Sequence, residues 1–312
     1  MLPKNPQSGR SIDNKRLLRK AVLVSFCNFP FPREPAICSF ETDSGALSQI
    51  PLGLPSSVEG CTGITANRAN IFILGVSQGI CHLTVLTRSR REVIFRQPLP
   101  EVKEGHSIVA DDEQLFIVST GTDEVIRYNL APKRVSDPQV VWRATLSGTD
   151  THHVNSITRW QGNLVASAFG PKFGTLWTSA LEGYIHDISR DTRIKSGVYH
   201  PHSLSVRADR LYYLESQRKL LCSLDGPLFS LPGYPRGVCW LSDDLVCIGS
   251  NVGRRLSKST GLIANPADPG EPSGSCGITV ADVKAGGRVK HFDLGWVGGE
   301  IYDIVVENTS QG

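Results

Sequence analysis

The sequence has little of what nucleic-acid or membrane binding requires. Its net charge is only +3, its basic residues are scattered, and aromatic residues make up 7% of its 312 residues. A nucleic-acid-binding surface would need a basic stripe interleaved with aromatic side chains, which the sequence does not contain. No apolar run approaches the roughly 20 residues of a membrane helix. We therefore expect neither nucleic acid nor a membrane among the partners.

Motifs for common cofactors are also missing. The sequence has no P-loop and no glycine-rich dinucleotide fingerprint, so we expect no nucleotide cofactor. C-x-x-C spacing is absent as well. The eight cysteines, at positions 27, 38, 61, 81, 222, 239, 247 and 276, lie mostly in apolar strand-like runs. This is typical of buried free thiols in a reducing compartment, and we expect a cytoplasmic location.

The first residues are basic and precede a short apolar run. Lysines and arginines up to Lys20 are followed by AVLVSFC and then by Asn28 and Pro30. That run is short for the h-region of a secretory signal, and no small-residue cleavage site follows it. We predict a flexible basic tail over residues 1–18, a strand over 20–27 and a single domain over 19–308.

Helical periodicity is nearly absent, and short β-type segments recur instead. Five segments each begin with a small or polar residue, continue with an aliphatic residue and a turn, and end in an apolar strand. They are CTGITANRANIFILG from residue 61, GHSIVADDEQLFIVS from 105, VNSITRWQGNLVASA from 154, PHSLSVRADRLYYLE from 201 and PRGVCWLSDDLVCIG from 235. Repeats of this size, each followed by one or two more strands, are typical of the four-stranded blades of a β-propeller.

The two ends of the sequence complete this pattern. IYDIVVENTSQG, from residue 301, supplies only an innermost strand, whereas residues 20–51 supply three strands without one. Joining them completes a sixth blade and removes exposed sheet edges. The sequence therefore predicts an all-β, six-bladed β-propeller whose ring is closed by the C-terminal strand joining the N-terminal three strands. An irregular sandwich or a pair of domains is the alternative, and it leaves both ends unexplained.

One long connection interrupts blade five. Residues 254–277 are rich in proline, glycine and serine, which predicts a long loop on one face of the ring. The loop is either a lid over a site or a spacer without function.

Ionisable residues concentrate where the innermost strands begin. Residues two apart on a strand share a face, so the aligned residue of each blade and the residue two before it should both face the channel mouth. In blade order these pairs are Gly60/Thr62, Glu104/His106, His153/Asn155, His200/His202, Tyr234/Arg236 and Glu300/Tyr302. Because burying ionisable groups is costly, this concentration favours a functional site over a structural lining. His152 is one residue out of phase and should point into its own blade or toward the neighbouring blade.

Two chemistries remain open for this ring. The first is one divalent metal ion, bound by His106, His153 and His202 with Glu300 or Glu104 as fourth ligand or base. The second is metal-free acid/base catalysis by the same histidines and Glu300.

In both cases the substrate would be a small molecule with an anionic or carbonyl group. Arg236 would bind that group, because a guanidinium pairs with carboxylate, phosphate or a developing oxyanion. The other expected substrate-binding residues are Asn155, Tyr234, Tyr302, His200 and Glu104.

Four sequence segments resemble an uncharacterised bacterial propeller family that carries a domain-of-unknown-function label. They are HHVNSI, YHPHSL, LPGYPRGV and CGITVADVKAGGRVKHFDLGWVGGEIYDIVV. They are similar to that family in an H-x-N, a P-H-S, a P-G-aromatic-x-R-G and a closing E-I-aromatic-D motif. The resemblance covers residues 150–307 well and the first half loosely. It implies a propeller fold, brings no established reaction, and marks as ring residues His153, Asn155, His202, Arg236 and Glu300.

A more distant similarity is to lactonase- and lyase-type propellers, which hold a metal at the channel mouth mainly with Glu, Asn and Asp ligands. The ring here is richer in histidine. That similarity therefore concerns architecture, which does not imply function.

Two classes of function follow. The first is a small-molecule enzyme with its site at the channel mouth, a lyase, isomerase or cyclase rather than a hydrolase, in specialised natural-product metabolism. The second is a non-catalytic propeller that binds a ligand or a protein partner and would expose aromatic residues on its rim loops. The tryptophans fall mostly within strand patterns, which favours the enzyme; they are Trp142, Trp160, Trp177, Trp240 and Trp296.

Overall fold

The computed structural model describes residues 20–27, 37–53, 58–252, 262, 274–297 and 300–307, without the side chains of residues 58 and 59. Within these ranges the regular elements are β-strands and three short 3-10 turns. The predicted tail over residues 1–18 lies outside the described residues. So does the predicted loop over 254–277, apart from Leu262 and residues 274–277, the last of which begins a strand.

The N-terminal strands and the last strand belong to one eight-stranded antiparallel sheet. Its order is β3-β2-β1-β4-β5-β6-β7, and β24 pairs with β1 off this path. The strands are β1 (Ala21–Cys27), β2 (Ile37–Glu41), β3 (Leu47–Gln49), β4 (Val58–Ala66), β5 (Asn70–Ser77), β6 (Ile80–Thr87), β7 (Val93–Leu99) and β24 (Glu300–Val306).

The remaining strands form four antiparallel sheets of four strands each, and in each sheet sequence neighbours are also spatial neighbours. The first sheet consists of β8 (Gly105–Ala110), β9 (Gln114–Ser119), β10 (Glu124–Ala131) and β11 (Arg134–Arg143). The second consists of β12 (Val154–Trp160), β13 (Asn163–Ala168), β14 (Gly183–Asp187) and β15 (Thr192–Val198). The last two are β16 (Pro201–Arg207), β17 (Arg210–Glu215), β18 (Leu220–Ser223), β19 (Gly226–Ser230), and β20 (Tyr234–Trp240), β21 (Leu245–Asn251), β22 (Gly277–Asp282), β23 (Gly287–Asp293).

The eight-stranded sheet consists of two four-stranded groups. Strand β24 pairs with β1 from Val22↔Val306 to Cys27↔Glu300, whereas β1 meets β4 only at Cys27↔Gly60. One group is therefore β24-β1-β2-β3, in which the C-terminal strand joins the three N-terminal strands, and the other is β4-β5-β6-β7. The strand predicted over residues 20–27 is confirmed as β1.

The first strands of the groups, which we call the inner strands, are β24, β4, β8, β12, β16 and β20. Each contacts the next along this series, and β20 also contacts β24. They enclose a cavity of about 340 Å³. Alternate residues of the inner strands, such as Ile108, Ile157 and Leu204, pack into the hydrophobic clusters between neighbouring sheets, so the residues between them face the cavity.

Cysteine usage follows the prediction. All eight cysteines are free and buried. Burial raises the pKa of the Cys38 and Cys222 thiols to about 12, so both stay protonated at neutral pH and pack as small apolar groups.

Neighbouring four-stranded groups are also joined by side-chain hydrogen bonds near the start of the inner strands. A polar side chain at or just after the end of a second strand donates to the backbone carbonyl at the start of the next inner strand. These bonds are Thr120 Oγ1 to Val154 O at 2.7 Å, Ser167 Oγ to Pro201 O at 3.2 Å, Ser216 Oγ to Pro235 O at 2.7 Å and Asn251 Nδ2 to Ile301 O at 2.8 Å.

We predict that Thr120→Val lowers the free energy of unfolding by about 1–3 kcal/mol, because the near-isosteric change removes a buried donor to the Val154 carbonyl. The matched control is Thr192→Val, at an exposed site whose hydroxyl bonds only to Arg190 O. We expect the control to stay within about 0.5 kcal/mol of the parent protein. Urea unfolding followed by tryptophan fluorescence measures both, and equal losses in the two variants would contradict this account.

Candidate functional site

Side chains at the start of the inner strands form a closed loop of contacts around one end of the cavity. The ring centroids of His106 and His153 are 5.1 Å apart, and His106 lies 5.4 Å from Tyr302. The Arg236 guanidinium lies 5.0 Å from the Tyr302 ring and 5.5 Å from the Tyr234 ring.

The loop is completed on its other side by Phe169. Tyr234 lies 5.5 Å from His202, His202 lies 5.0 Å from Phe169, and Phe169 lies 4.5 Å from His153. Five of the inner strands or the turns before them therefore bring together six of the side chains that the repeat alignment placed in the ring, and Phe169 joins them. We call this set the polar ring: His106, His153, Phe169, His202, Tyr234, Arg236 and Tyr302.

His153 forms the ion-pair-like contact of the polar ring. Its Nδ1 lies 3.0 Å from the Asp150 carboxylate, and His153 is only 9% exposed. Asp123 holds the turn before β12 in place. Its carboxylate accepts hydrogen bonds from the backbone N–H groups of Thr151, His152 and Val154. An imidazole whose Nδ1–H is held by a carboxylate keeps its lone pair on Nε2 and is suited to general-base chemistry.

Burial and the nearby charge of Asp123 raise the pKa of Asp150, the charge of Lys172 lowers it, and the net value is about 7. The carboxyl is therefore protonated below about pH 7 and ionised above it. The ionised form accepts the Nδ1–H of His153 more strongly and stabilises an imidazolium, so the pair becomes a better base as the pH rises through neutrality.

His202 is held as one tautomer. Its Nδ1 lies 3.0 Å from the backbone oxygen of His200, which can only accept, and 2.8 Å from Ser216 Oγ. Ser216 donates its own proton to Pro235 O, so its oxygen also accepts from Nδ1. Nδ1 therefore carries the hydrogen and Nε2 carries the lone pair.

The buried Nε2 of His202 has no hydrogen-bond partner among the described residues, and the same holds for Asn155 Nδ2 and Arg236 Nε. Burial, with the positive charge of Arg236, holds the pKa of His202 well below its usual range. His202 is a neutral acceptor beside two donors, and buried polar groups without partners are exceptions that a ligand can explain.

The two-residue alternation predicted that His200 and His202 both face the channel. His200 does not. It stacks on Phe169 at 4.2 Å with the rings nearly parallel, and it is 4% exposed. Its Nε2 lies 2.8 Å from Trp177 O and must donate, so its Nδ1 accepts from the Tyr234 hydroxyl at 3.1 Å. Burial lowers the pKa of His200 to about 4, and the residue supports Tyr234 as a neutral ring.

The backbone before three of the inner strands is also not extended. Glu104, His153 and His200 precede three inner strands and have φ values of 49°, 51° and 50°. Left-handed φ is uncommon for residues with a β-carbon and costs conformational energy, so such positions mark turns or functional sites. It also breaks the alternation of an extended strand, so a residue and its neighbour two positions on need not share a face.

The acidic members of the predicted ring lie at its edge. Glu104 is an exposed residue whose backbone oxygen holds His106 Nδ1 at 2.8 Å, and partial burial with the charge of Asp150 raises its carboxyl pKa. Glu300 accepts a hydrogen bond from Cys27 Sγ at 3.4 Å, and its negative charge helps to keep Arg236 protonated.

The metal site predicted at His106, His153 and His202 stays a prediction. In the described part of the chain no three His, Cys, Asp or Glu side chains are arranged to hold a metal ion. Phe169 lies between the rings of His153 and His202. We derive no step through a metal.

Three contributors to the site escaped sequence analysis because they lie in connections between strands. Phe169 and Trp177 follow β13, and the Trp177 ring lies 4.6 Å from His153. Asp150 lies in the turn before β12. The D-x-x-H spacing of Asp150 and His153 was the available signal for this pair, whereas nothing in the repeat pattern marks Phe169. His152 packs against Tyr184 in its own sheet, as predicted.

Two of the five tryptophans lie outside the strands, where most of them were expected. Trp142, Trp160 and Trp240 lie in strands, but Trp177 lies in a 3-10 turn over the polar ring and Trp296 lies in a turn with 76% of its surface exposed. These two residues lie on connections, where aromatic side chains can meet a ligand or a partner.

The family assignment follows from the sequence that carries this site. A family model described as a domain of unknown function (DUF4915) matches residues 101–311. The chain belongs to this family. The match contains the whole polar ring and confirms the resemblance inferred from the motifs. No curated protein matches the sequence.

Solved structures share the fold at low sequence identity. A chain of the nidogen/laminin complex matches with a TM-score of 0.60 at 10% identity, covering 94% of this chain and all of that one. A putative 6-phosphogluconolactonase from Bacteroides fragilis matches at 0.53 and 8% identity, covering 96% and 99%. The periplasmic gluconolactonase of Pseudomonas aeruginosa matches at 0.51 and 12%, covering 92% and 98%. These neighbours are β-propellers, and they establish an all-β propeller fold for this chain.

Within the described ranges, no helix is long and apolar enough to cross a membrane.

We predict that Lys172→Met raises the pKa of Asp150 above its value of about 7, because Lys172 is the cation that stabilises the ionised carboxyl. Carbon-13 NMR of the aspartate carboxyl groups over pH 5–9 measures the shift, with Asp150→Asn identifying the resonance. The control Lys133→Met changes an exposed lysine on the β10–β11 turn. A pKa near 4 in the parent protein would contradict the burial of this carboxyl.

Proposed function

We propose that the protein is an enzyme that moves a proton on a small molecule bearing an anionic or carbonyl group, as a lyase, isomerase or cyclase does. The observation that carries the proposal is the Asp150–His153 pair, joined at 3.0 Å and seated in the polar ring beside His106. A base oriented by a carboxylate at a cavity end is the arrangement that proton abstraction requires.

The scaffold we propose for this site is a closed ring of six blades. The pairing of β24 with β1 and the series of contacts among the inner strands support it. Such a ring would place the start of every inner strand at one end of the central channel, where a substrate could contact side chains from several blades at once.

Arg236 is the proposed anchor for the substrate's negative charge. Its guanidinium lies between the rings of Tyr234 and Tyr302, and its buried Nε is among the polar atoms without a partner in the described residues. A carboxylate, or the oxygen of an enolate formed in the reaction, would accept from this guanidinium.

The proposed step balances without an external reagent. The Nε2 of His153 takes a proton from the carbon next to a carbonyl, and the electrons of the broken C–H bond move onto the carbonyl oxygen beside Arg236. Return of the proton at another carbon completes an isomerisation, and loss of a leaving group from the enolate completes a lyase reaction. Ionised Asp150 stabilises the imidazolium formed meanwhile.

The second candidate function is ligand or protein binding without catalysis. The exposed side chains of Phe173 and Trp296, 66% and 76% exposed, favour it, because a binding face would present such groups on its connections. For this second function the polar ring would bind a ligand without converting it chemically.

The deciding experiment is hydrogen exchange in D₂O on a panel of 2-oxo and 3-oxo acids and glucono-δ-lactone, followed by proton NMR. We expect the parent protein to exchange a carbon-bound hydrogen of at least one oxo acid, and His153→Gln to reduce the rate at least 100-fold. Arg236→Gln should mainly raise KM, whereas the control Arg134→Gln, at an exposed site, should change neither constant.

The pH dependence provides a further check. Because Asp150 must be ionised, kcat/KM should rise with pH through about 7 and then level off, and Asp150→Asn should remove this rise. Saturable binding of the oxo acids without exchange would favour the second candidate. Hydrolysis of the lactone without exchange would contradict proton transfer and indicate a hydrolase.

A further inference from the structure

The cavity continues from the polar ring along the inner strands toward their other ends. Its lining reaches Ala66 and Trp240, the last residues of β4 and β20, and Val306, the last residue of β24. At about 340 Å³ it falls within the range of small-molecule pockets, about 300–1,000 Å³, and holds roughly ten times the volume that one water occupies in the liquid.

Hydroxyl groups supply much of the polar part of this channel wall. Between the aliphatic residues that pack into the sheets, the inner strands place serine and threonine side chains along the cavity. They are Thr65, Ser107, Ser156, Thr158, Ser203 and Ser205.

Four of these hydroxyls are held in place as donors. Ser107, Ser156 and Ser203 accept the backbone N–H of Ile157, Leu204 and Gly237, each on the next inner strand, at 3.3, 2.8 and 2.8 Å, and Ser205 accepts from Trp240 Nε1 at 2.9 Å. Each oxygen accepts one of these bonds, so the hydroxyl can still offer its hydrogen and a second lone pair to a ligand.

The charged groups of the channel favour a neutral ligand. Asp303 occupies the position that serine holds on β8, β12 and β16, and its carboxylate accepts from the N–H groups of Ile64 and Ile304. Burial raises the pKa of this carboxyl to about 7, so at neutral pH it carries a partial negative charge and offers an anion no cationic partner. Arg88, at the far end, already donates to the backbone oxygens of Asn67, Val306 and Glu307, so its hydrogen bonds are used within the protein.

Two unsatisfied polar atoms lie at the polar-ring end of this channel. His202 and Asn155 line the cavity, are 2% and 3% exposed, and leave Nε2 as an acceptor and Nδ2 as a donor without a partner in the described residues. A ligand that both donates and accepts hydrogen bonds would satisfy them, together with the serine hydroxyls.

We propose that the channel is a binding site for a neutral, oxygen-rich small molecule, such as a polyol or a monosaccharide, distinct from the anion site at Arg236. Hydroxyl groups on the ligand would donate to His202 Nε2 and accept from the threonine and serine hydroxyls of the wall and from Asn155. The site does not depend on the proposed reaction, because none of its wall groups takes part in proton transfer.

Isothermal calorimetry and saturation-transfer NMR test this site with myo-inositol, D-glucose and glycerol as neutral probes, and with citrate and spermidine as charged comparisons. The informative variants are Thr65→Val and Thr158→Val, since both remove a hydroxyl that faces the cavity and leave the shape unchanged. We expect at least one neutral probe to bind saturably in the millimolar range, and the double variant to weaken it at least fivefold.

Arg236→Gln separates this proposal from the proposed function, because it should impair oxo-acid turnover and leave polyol binding unchanged. Thr192→Val, on an exposed strand, is the matched control. The proposal is overturned if no neutral probe saturates the folded protein, if binding is the same in the double variant, or if citrate or spermidine competes more strongly than the polyols.

Discussion

The site depends on the fixed alignment of the inner strands, which are held by polar groups that reach from one sheet to the next. Thr120, Ser167 and Ser216 each donate to the carbonyl at the start of the neighbouring inner strand. Apolar packing between the sheets is not directional, whereas these bonds fix the height of one strand against another. Side chains from separate sheets can therefore meet as one ring.

Ser216 links this scaffold directly to the site. The same hydroxyl that joins two inner strands through Pro235 O also accepts from His202 Nδ1. The inter-sheet bond thus sets the histidine tautomer, and the neutral state of His202 follows from its burial beside Arg236. The Ser216 hydroxyl thus belongs both to the contact between sheets and to the site, so the fold itself orients His202 in the polar ring.

Much of this arrangement could be predicted from the sequence, because the repeat fixes which residues begin the inner strands. Alignment of the repeated segments was enough to place His106, Asn155 and His202 at the starts of inner strands. The failure at His200 has a physical cause: its ring stacks on Phe169 and its Nε2 donates to Trp177 O, two contacts that the repeat does not encode. Phe169 itself lies in a connection, where no periodicity constrains the chain, and only a structure reveals it.

The most direct test of this account is the tautomeric state of the ring histidines, measured by long-range nitrogen–proton NMR at pH 8 with His→Gln variants for assignment. The account predicts that His106, His153 and His202 are neutral and carry their hydrogen on Nδ1, because each Nδ1 faces an oxygen acceptor. Hydrogen on Nε2 of His153 or His202 would contradict both the base assigned to the reaction and the geometry of the polar ring.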